Sequence, residues 1–265
     1  MDNDDFGARM KQIESVETSR KFDVTLPTYA RIDGRGFSRF TRGMDRPFDL
    51  RMTNAMIETT KYLVQNTHAR IGYVQSDEIS LVWEAPTPES DIFFSGKIQK
   101  MVSVLASMAA AKFARVCPEG FEDRLPHFDA RVFQMPSRIE AANAFLWRAM
   151  DAKKNSISMV AQANFSHKEL QGKTQKDMLA MLAAKGVDFE ANPEAFKRGS
   201  FIRRVLVERE PDLSGIPEQF RPTGPIMRAE MVVIDMPPFN TVRNRVEVVF
   251  DGADPVKMIT LGDLR

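Results

Sequence analysis

The chain has 265 residues, 43% of them hydrophobic and 28% charged, as in a globular protein large enough for one or two domains. The formal net charge of +1 gives no whole-chain argument for a nucleic-acid partner, so local charge must provide one. The single cysteine, Cys117, excludes an internal disulfide framework and favours a reducing, cytoplasmic location, and no apolar run approaches the roughly 20 residues that cross a bilayer.

Hydrophobic periodicity predicts alternating helices and strands along the first part of the chain. Asp49 or Thr53 can cap the second helix, and Ser137 with Glu140 forms a capping-box pattern. The predicted elements, in chain order, are a charged helix over 8–20, a strand in "TLPTYARIDG", a helix over 48–67, a strand pair around "QSDE", a helix over 97–116, a strand in "HFDARVFQMP" and a long helix over 137–163.

These elements give the order β-α-β-β-α-β across residues 28–135. This is the ferredoxin-like order, in which two helices cover one face of an antiparallel sheet and the other face is free for a site. A mostly helical C-terminal portion follows, with N-cap signals at Ser166 and Thr174. It ends in two strand-like runs, "AEMVVIDM" and "VEVVF", which we expect to pack on the body. The predicted fold class is therefore α+β.

Four residues on two neighbouring strands are the strongest candidates for chemistry: Asp33 and Gly34 at a strand end, and Asp77 and Glu78 in the middle of a hairpin. The topology predicts that the three carboxylates converge on the open face. Clustered carboxylates repel one another unless a cation lies between them, and oxygen ligands suit Mg²⁺. The alternative interpretation is that these acids are solvated residues of a hairpin turn.

Basic residues form a second group of candidates for binding phosphates or an RNA backbone. The alternatives are a solvated helix start for the two lysines and a sheet edge protected by charge for the last stretch. The candidates are Arg31 and Arg35 beside the acidic turn, Lys97 and Lys100 at a helix start, and Lys197, Arg198, Arg203 and Arg204 in "FKRGSFIRR".

The order of these motifs resembles the tRNA-His guanylyltransferase superfamily, whose members add nucleotides to RNA 5′ ends in the 3′–5′ direction. The resemblance rests on "RIDGRGFSRF", "QSDEIS", "FDARVF" and "WRAMDAKKNSIS", and it covers about residues 28–205. It implies a polymerase-palm fold, with a palm-like catalytic domain over 1–136. Residues 137–265 are then a helical portion that contacts RNA and nucleotide, with its C-terminal strands packed on the palm.

The resemblance also implies roles for single residues. Asp33, Asp77 and the Gly34 carbonyl are expected to bind two Mg²⁺ ions, and Glu78 is a further acid needed nearby. The implied nucleotide contacts are Arg31, Arg35, Gly36, Phe37, Ser76, Lys97 and Lys100. The predicted RNA contacts are Arg148, Lys153, Lys154, Asn155, Lys197, Arg198, Arg203 and Arg204.

One departure bears on the substrate. Family members that mark tRNA-His carry "HINNLYN" where this chain has "KKNSISM", so that Lys153 replaces the histidine. This favours the guanylyltransferase-like branch, a 3′–5′ RNA polymerase that repairs tRNA 5′ ends by templated addition. The expected substrates are tRNA, ATP and GTP or another nucleoside triphosphate, and the resemblance implies a homotetramer. The alternatives are single-G addition to tRNA-His, a palm-type nucleotidyl cyclase, and a non-catalytic RNA-binding module.

Overall fold

The computed structural model describes residues 3–87, 89–212, 214 and 217–258, so the last seven residues of the predicted C-terminal portion lie outside it. The strands are β1 (Thr28–Gly34), β2 (Ile71–Gln75), β3 (Glu78–Trp83), β4 (Phe128–Gln134), β5 (Ser200–Arg209) and β6 (Ile226–Val233). The α-helices are α1 (Asn3–Thr18), α2 (Phe37–Phe40), α3 (Leu50–Thr67), α4 (Ile98–Arg115), α5 (Arg138–Asn164), α6 (His167–Leu170), α7 (Gln175–Ala184), α8 (Glu194–Arg198) and α9 (Arg245–Phe250).

The six strands form one antiparallel sheet in the order β4-β1-β3-β2-β5-β6. Its first four strands have the ferredoxin-like arrangement, so the predicted α+β class and the β-α-β-β-α-β core are confirmed. The strands β5 and β6 extend the sheet at the β2 edge. The sheet therefore continues across the boundary predicted at residue 136, and the C-terminal strands join the palm-like unit edge to edge.

Helices α3 and α4 pack on one face of the sheet, as the periodicity predicts. Their buried side chains, such as Met56 and Leu105, share a core with Ile32 and Leu81 of the sheet. The other face is not open along its whole length, because α5 lies across it. Phe145 of α5 packs against Tyr29 at 5.0 Å and Phe201 at 6.0 Å between ring centroids. The site must therefore lie at the strand ends, where α5 passes the sheet.

The run "VEVVF" is a helix and not a strand, which corrects the prediction. It forms α9, and Val248, Val249 and Phe250 enter the same core as Phe145. The β-branched composition favours a strand locally, but packing of this apolar face against α5 outweighs that preference. No helix in the described ranges combines the length and apolar character needed to cross a membrane.

The predicted cap at Asp49 is present and allows a stability test. Its carboxylate accepts hydrogen bonds from the backbone N–H groups of Arg51 and Asp45 at 2.9 and 3.2 Å and binds the Arg51 guanidinium at 2.7 Å. The Arg51 guanidinium lowers the pKa of Asp49 to about 2. We expect Asp49→Ala to lower the free energy of unfolding by about 1–2 kcal/mol at neutral pH.

The pH dependence of this loss has a defined sign. Because the pKa of Asp49 is lowered on folding, its charge-dependent contribution is present above about pH 4 and is lost as the pH falls through about 2. Urea unfolding at pH 7 and pH 3 should therefore show a smaller difference between wild type and Asp49→Ala at the lower pH. Asp49→Asn is the matched control, because it keeps a capping acceptor without the charge. Equal unfolding curves for Asp49→Ala and wild type at pH 7 would contradict the assignment.

Candidate active site

The acidic residues lie at one end of the sheet, where β1 ends and the β2–β3 hairpin turns. Asp33 pairs in register with Glu78 on one side and with Asp129 of β4 on the other. Directly paired residues point to the same face, so these three carboxylates form a row. Asp77 precedes β3, and its carbonyl oxygen accepts a hydrogen bond from the Gly34 N–H at 3.0 Å. The structure thus brings Asp33 and Asp77 together at adjacent strand ends.

The turn of the hairpin holds Asp77 in place. It consists of Ser76 and Asp77 between the paired residues Gln75 and Glu78. Ser76 has a φ of 53°, in the left-handed region that few residues other than glycine adopt. Its hydroxyl donates a hydrogen bond to Oδ1 of Asp77 at 3.1 Å. Ser76, predicted as a nucleotide contact, is therefore exposed at the turn and orients the neighbouring carboxylate.

Burial raises the pKa of Asp77 to about 6, and the negative charges of Asp33 and Glu78 act in the same direction, against the Ser76 hydrogen bond. A carboxylate in this environment is stabilised by a nearby cation. The donor set also fits Mg²⁺, because the two aspartates and the Gly34 carbonyl supply only oxygen atoms. Among the described residues no group of three or more acidic, histidine or cysteine side chains is arranged to hold a metal, so substrate oxygens would have to complete the shell.

Glu78 lies beside Asp33 in this row, and its carboxylate is also held by arginine. Its carboxylate forms a two-point ion pair with Arg148 of α5, with distances of 2.5 Å to Nε and 2.8 Å to Nη2, and Arg31 lies at 3.8 Å. Burial raises the pKa of Glu78, and the hydrogen bonds from Arg148 oppose the shift. Glu78 therefore joins the hairpin to α5.

Arg148, whose predicted RNA contact stays a prediction, is engaged by the same ion pair. Its side chain is only 12% exposed, and Nη1 also binds Asp151 at 3.2 Å. The guanidinium is thus occupied by two carboxylates of this chain. Farther along α5, Lys153, Lys154 and Asn155 are exposed, so their predicted RNA contacts stay predictions.

Gly34 is required by a close contact within the site. A β-carbon at this position would lie 2.4 Å from the Phe37 ring, so any side chain would displace that ring. Gly36, with a φ of 69°, then begins the short helix α2. Phe37 itself, predicted as a nucleotide contact, is buried against Phe40, Phe113 and Phe128. Its ring forms part of a cavity wall.

This cavity, of about 520 Å³, opens beside Asp77. Its wall comes from distant parts of the chain: α2 and the loop after it, α3, the hairpin turn, the C-terminal half of α5, and α8. Motif-based interpretation finds only Phe37, Ser76 and Asp77 of this wall. The "MDRPFD" stretch contains two acids and an aromatic ring and follows "RIDGRGFSRF" closely. It is the part of the sequence that could have predicted further residues of the cavity wall. Additional lining residues are Thr41, Arg46, Phe48, Asp49, Met52 and Gln162.

Lys97 and Lys100 lie at the other end of the sheet from Asp33 and Asp77, and their predicted nucleotide contacts stay predictions. The backbone of residues 20–22, which precede β1, forms hydrogen bonds with the start of α4. Lys97 and Lys21 form an isolated β-bridge there. The start of β1 lies roughly 17 Å from Asp33 along the strand. The two lysines lie there because α4 is the crossover helix that follows β3. It begins where β3 ends, at the far end of the sheet. Arg35, by contrast, follows Gly34 directly and is exposed.

Most basic residues of the "FKRGSFIRR" stretch are paired with acids of this chain and do not form a free basic patch. Lys197 is 3% exposed, and its ammonium lies 3.0 Å from Glu190 and 2.8 Å from Glu194. Arg198 binds Glu194 at 2.5 Å, and Arg203 binds Asp254 at 2.6 Å. These acids lie outside the quoted stretch. The positive charge of the stretch alone therefore does not predict a free basic surface. Lys197 is buried and Arg198 and Arg203 are ion-paired within this chain, so their predicted RNA contacts stay predictions, and Arg204 is an exposed candidate on β5.

Comparison with known proteins gives consistent matches. A family model described as tRNAHis guanylyltransferase matches residues 7–136. The tRNA(His) guanylyltransferase of Schizosaccharomyces pombe is 28% identical over 75% of this chain and 82% of its own length. A bacterial tRNA(His) guanylyltransferase (Thg1)-like protein solved with ATP is 43% identical, covering 75% of this chain and 88% of its own, with a TM-score of 0.71. Another, solved with GTP, is 35% identical over 89% and 94%, with a TM-score of 0.73.

Proposed function

The chain belongs to the tRNA-His guanylyltransferase superfamily and is a nucleotidyltransferase, and from this premise we propose that it repairs tRNA 5′ ends by templated 3′–5′ addition. The observation that carries the proposal is that Asp77 lines a cavity of nucleotide size and is hydrogen-bonded through its carbonyl to Gly34, the residue after Asp33. The likeness to bacterial Thg1-like proteins, at 43% and 35% identity, supports this branch over the single-G branch, as does Lys153 in place of histidine.

The reaction we propose has two steps on a 5′-monophosphate end. ATP first adenylylates the terminal phosphate and releases pyrophosphate. The 3′-hydroxyl of the incoming nucleoside triphosphate then attacks that phosphate, and AMP leaves. A 5′-triphosphate end needs no activation and releases pyrophosphate directly.

The chain's own residues position the reactants. Asp33, Asp77 and the Gly34 carbonyl would hold Mg²⁺, which supplies charge neutralisation at the phosphates and lowers the pKa of the attacking hydroxyl. The cavity beside Asp77 holds the nucleoside triphosphate, and exposed Arg35 binds its phosphate oxygens. Phosphoryl transfer depends mainly on positioning and charge.

The proposal is tested with end-labelled tRNAs that lack their first nucleotide and differ in the base opposite the gap. We expect extension by the nucleotide complementary to that base, with Mg²⁺ required and chelation abolishing the product. Addition of one G whatever the opposing base would favour the tRNA-His branch. A cyclic product from ATP alone would favour a cyclase. Absence of any product with all four nucleotides would reject the proposal.

A further inference from the structure

A second recess lies on the opposite face of the sheet from the nucleotide cavity. It is a groove of about 280 Å³ between α5 and the edge strand β4, and it shares no lining residue with the cavity beside Asp77. The roles proposed for Asp33, Asp77 and the nucleotide site do not involve this groove. The lining of the groove includes Arg31, Phe133, Glu140, Asn143 and Trp147.

Trp147 is the main feature of this groove. Its side chain is 56% exposed, whereas the other tryptophan, Trp83, is 2% exposed. The guanidinium carbons of Arg31 and Arg148 lie 5.9 and 4.7 Å from the Trp147 ring centroid. Both arginines are in turn held by Glu78. The indole is thus supported by fixed cations, and much of its surface faces solvent, as in aromatic residues on which bases stack.

The groove leads toward the acidic strand ends. Glu140, Asn143 and Trp147 lie on one side of α5 because of their i, i+3 and i+7 spacing, and they offer a carboxylate and an amide beside the indole. Arg31 is two residues before Asp33 on the same strand face, about 7 Å away along β1. Arg131 pairs with Arg31 across the β1–β4 ladder and is largely exposed, with Asp129 at 3.4 Å.

We propose that this groove binds an unpaired nucleobase at the end of the RNA substrate, stacked on Trp147, with the adjoining phosphate near Arg31 and Arg131. The proposal rests on the proposed function. The cavity on the opposite face accommodates the nucleoside triphosphate, so the base in the groove belongs to the RNA. The acids at the strand ends then lie between the two substrates. An exposed indole flanked by arginines fits a nucleobase, because the base stacks on the ring and the guanidinium groups favour the negative charge of the adjoining phosphate.

Intrinsic fluorescence tests the stacking without requiring turnover. The probes are two RNA hairpins with the same stem, one with unpaired 3′ nucleotides and one with a blunt end. We expect the first to quench the exposed tryptophan of the full-length protein much more strongly, and Trp147→Phe to remove this signal because the buried Trp83 remains. Equal quenching by both hairpins, or quenching retained in Trp147→Phe, would overturn the proposal. This readout can succeed even if the proposed addition reaction fails.

Addition kinetics on truncated tRNA provide the second test. We expect Trp147→Ala to raise the KM for tRNA roughly tenfold or more, with kcat and the KM for the nucleotide little changed. Trp147→Phe should give a KM for tRNA within a fewfold of the wild-type value. Met150 is an exposed residue of α5 outside the groove, and Met150→Ala should leave this KM unchanged. A raised KM for the nucleotide alone, or a changed oligomeric state with an unchanged KM for tRNA, would overturn the assignment to RNA.

Discussion

Asp77→Asn is expected to reduce nucleotide addition roughly a thousandfold or more while the protein stays folded. The substitution keeps the shape of the side chain and removes the negative charge that Mg²⁺ requires. Because burial and Asp33 already disfavour the charged form of Asp77, the variant should unfold at a denaturant concentration equal to or above that of wild type in the absence of metal. Loss of activity would then reflect the site and not the fold.

Two measurements separate these effects. Single-turnover addition on a truncated tRNA measures activity, and thermal unfolding with and without Mg²⁺ measures metal binding. Wild type should gain stability from Mg²⁺, and Asp77→Asn should lose most of that gain. Asp129→Asn is the matched control, because Asp129 lies in the same row of carboxylates but is half-exposed and paired with Arg131. Full activity in Asp77→Asn, or equal loss in Asp129→Asn, would reject the assignment of Asp77.

Arg148→Ala is expected to destabilise the protein by about 3–5 kcal/mol, because it leaves the Glu78 carboxylate buried without its two-point partner. Arg31, at 3.8 Å, compensates only in part. Addition activity should fall as well, since the Glu78–Arg148 pair joins α5 to the hairpin that carries Asp77. Arg148→Lys should show an intermediate loss, because lysine keeps the charge but cannot form the two parallel hydrogen bonds.

The double variant Glu78→Gln with Arg148→Met decides between an ion-pair role and an RNA-contact role for Arg148. Removing both charges should recover most of the stability lost in Arg148→Ala, measured by urea unfolding, without recovering full activity. A contact with RNA would instead give a stable Arg148→Ala protein with weakened tRNA binding. Arg204→Ala is a suitable comparison, because Arg204 is exposed on β5. Normal stability of Arg148→Ala would contradict the role inferred from the ion pair.

Most features that depend on short stretches of sequence were predicted successfully, with the strand expected at "VEVVF" as an exception. The strand and helix order follows from periodicities of about two and 3.6 residues, which are local properties of the chain. The cap at Asp49 is equally local, because its carboxylate reaches a backbone N–H two residues away. The positions of Asp33 and Asp77 follow from the strand order, since β1 and the hairpin are neighbours in this topology.

The environment of each charged side chain was decided only by the tertiary structure. Arg203 forms an ion pair with Asp254, and Glu78 forms one with Arg148, and in each case the partner lies far away in the chain. Lys97 is at the far end of the sheet because the crossover helix must begin where β3 ends. Electrostatic partners and desolvation depend on which distant segments meet, and no local pattern contains that information.

The sequence by itself thus determined the α+β architecture, the family, and the two aspartates at neighbouring strand ends. The tertiary structure decided that α5 closes part of the second face and binds Glu78 through Arg148. It also placed the cavity beside Asp77 and the Trp147 groove on opposite faces of one sheet. Both recesses are assembled from elements far apart in the chain, and their shape arises only when the sheet and helices pack together.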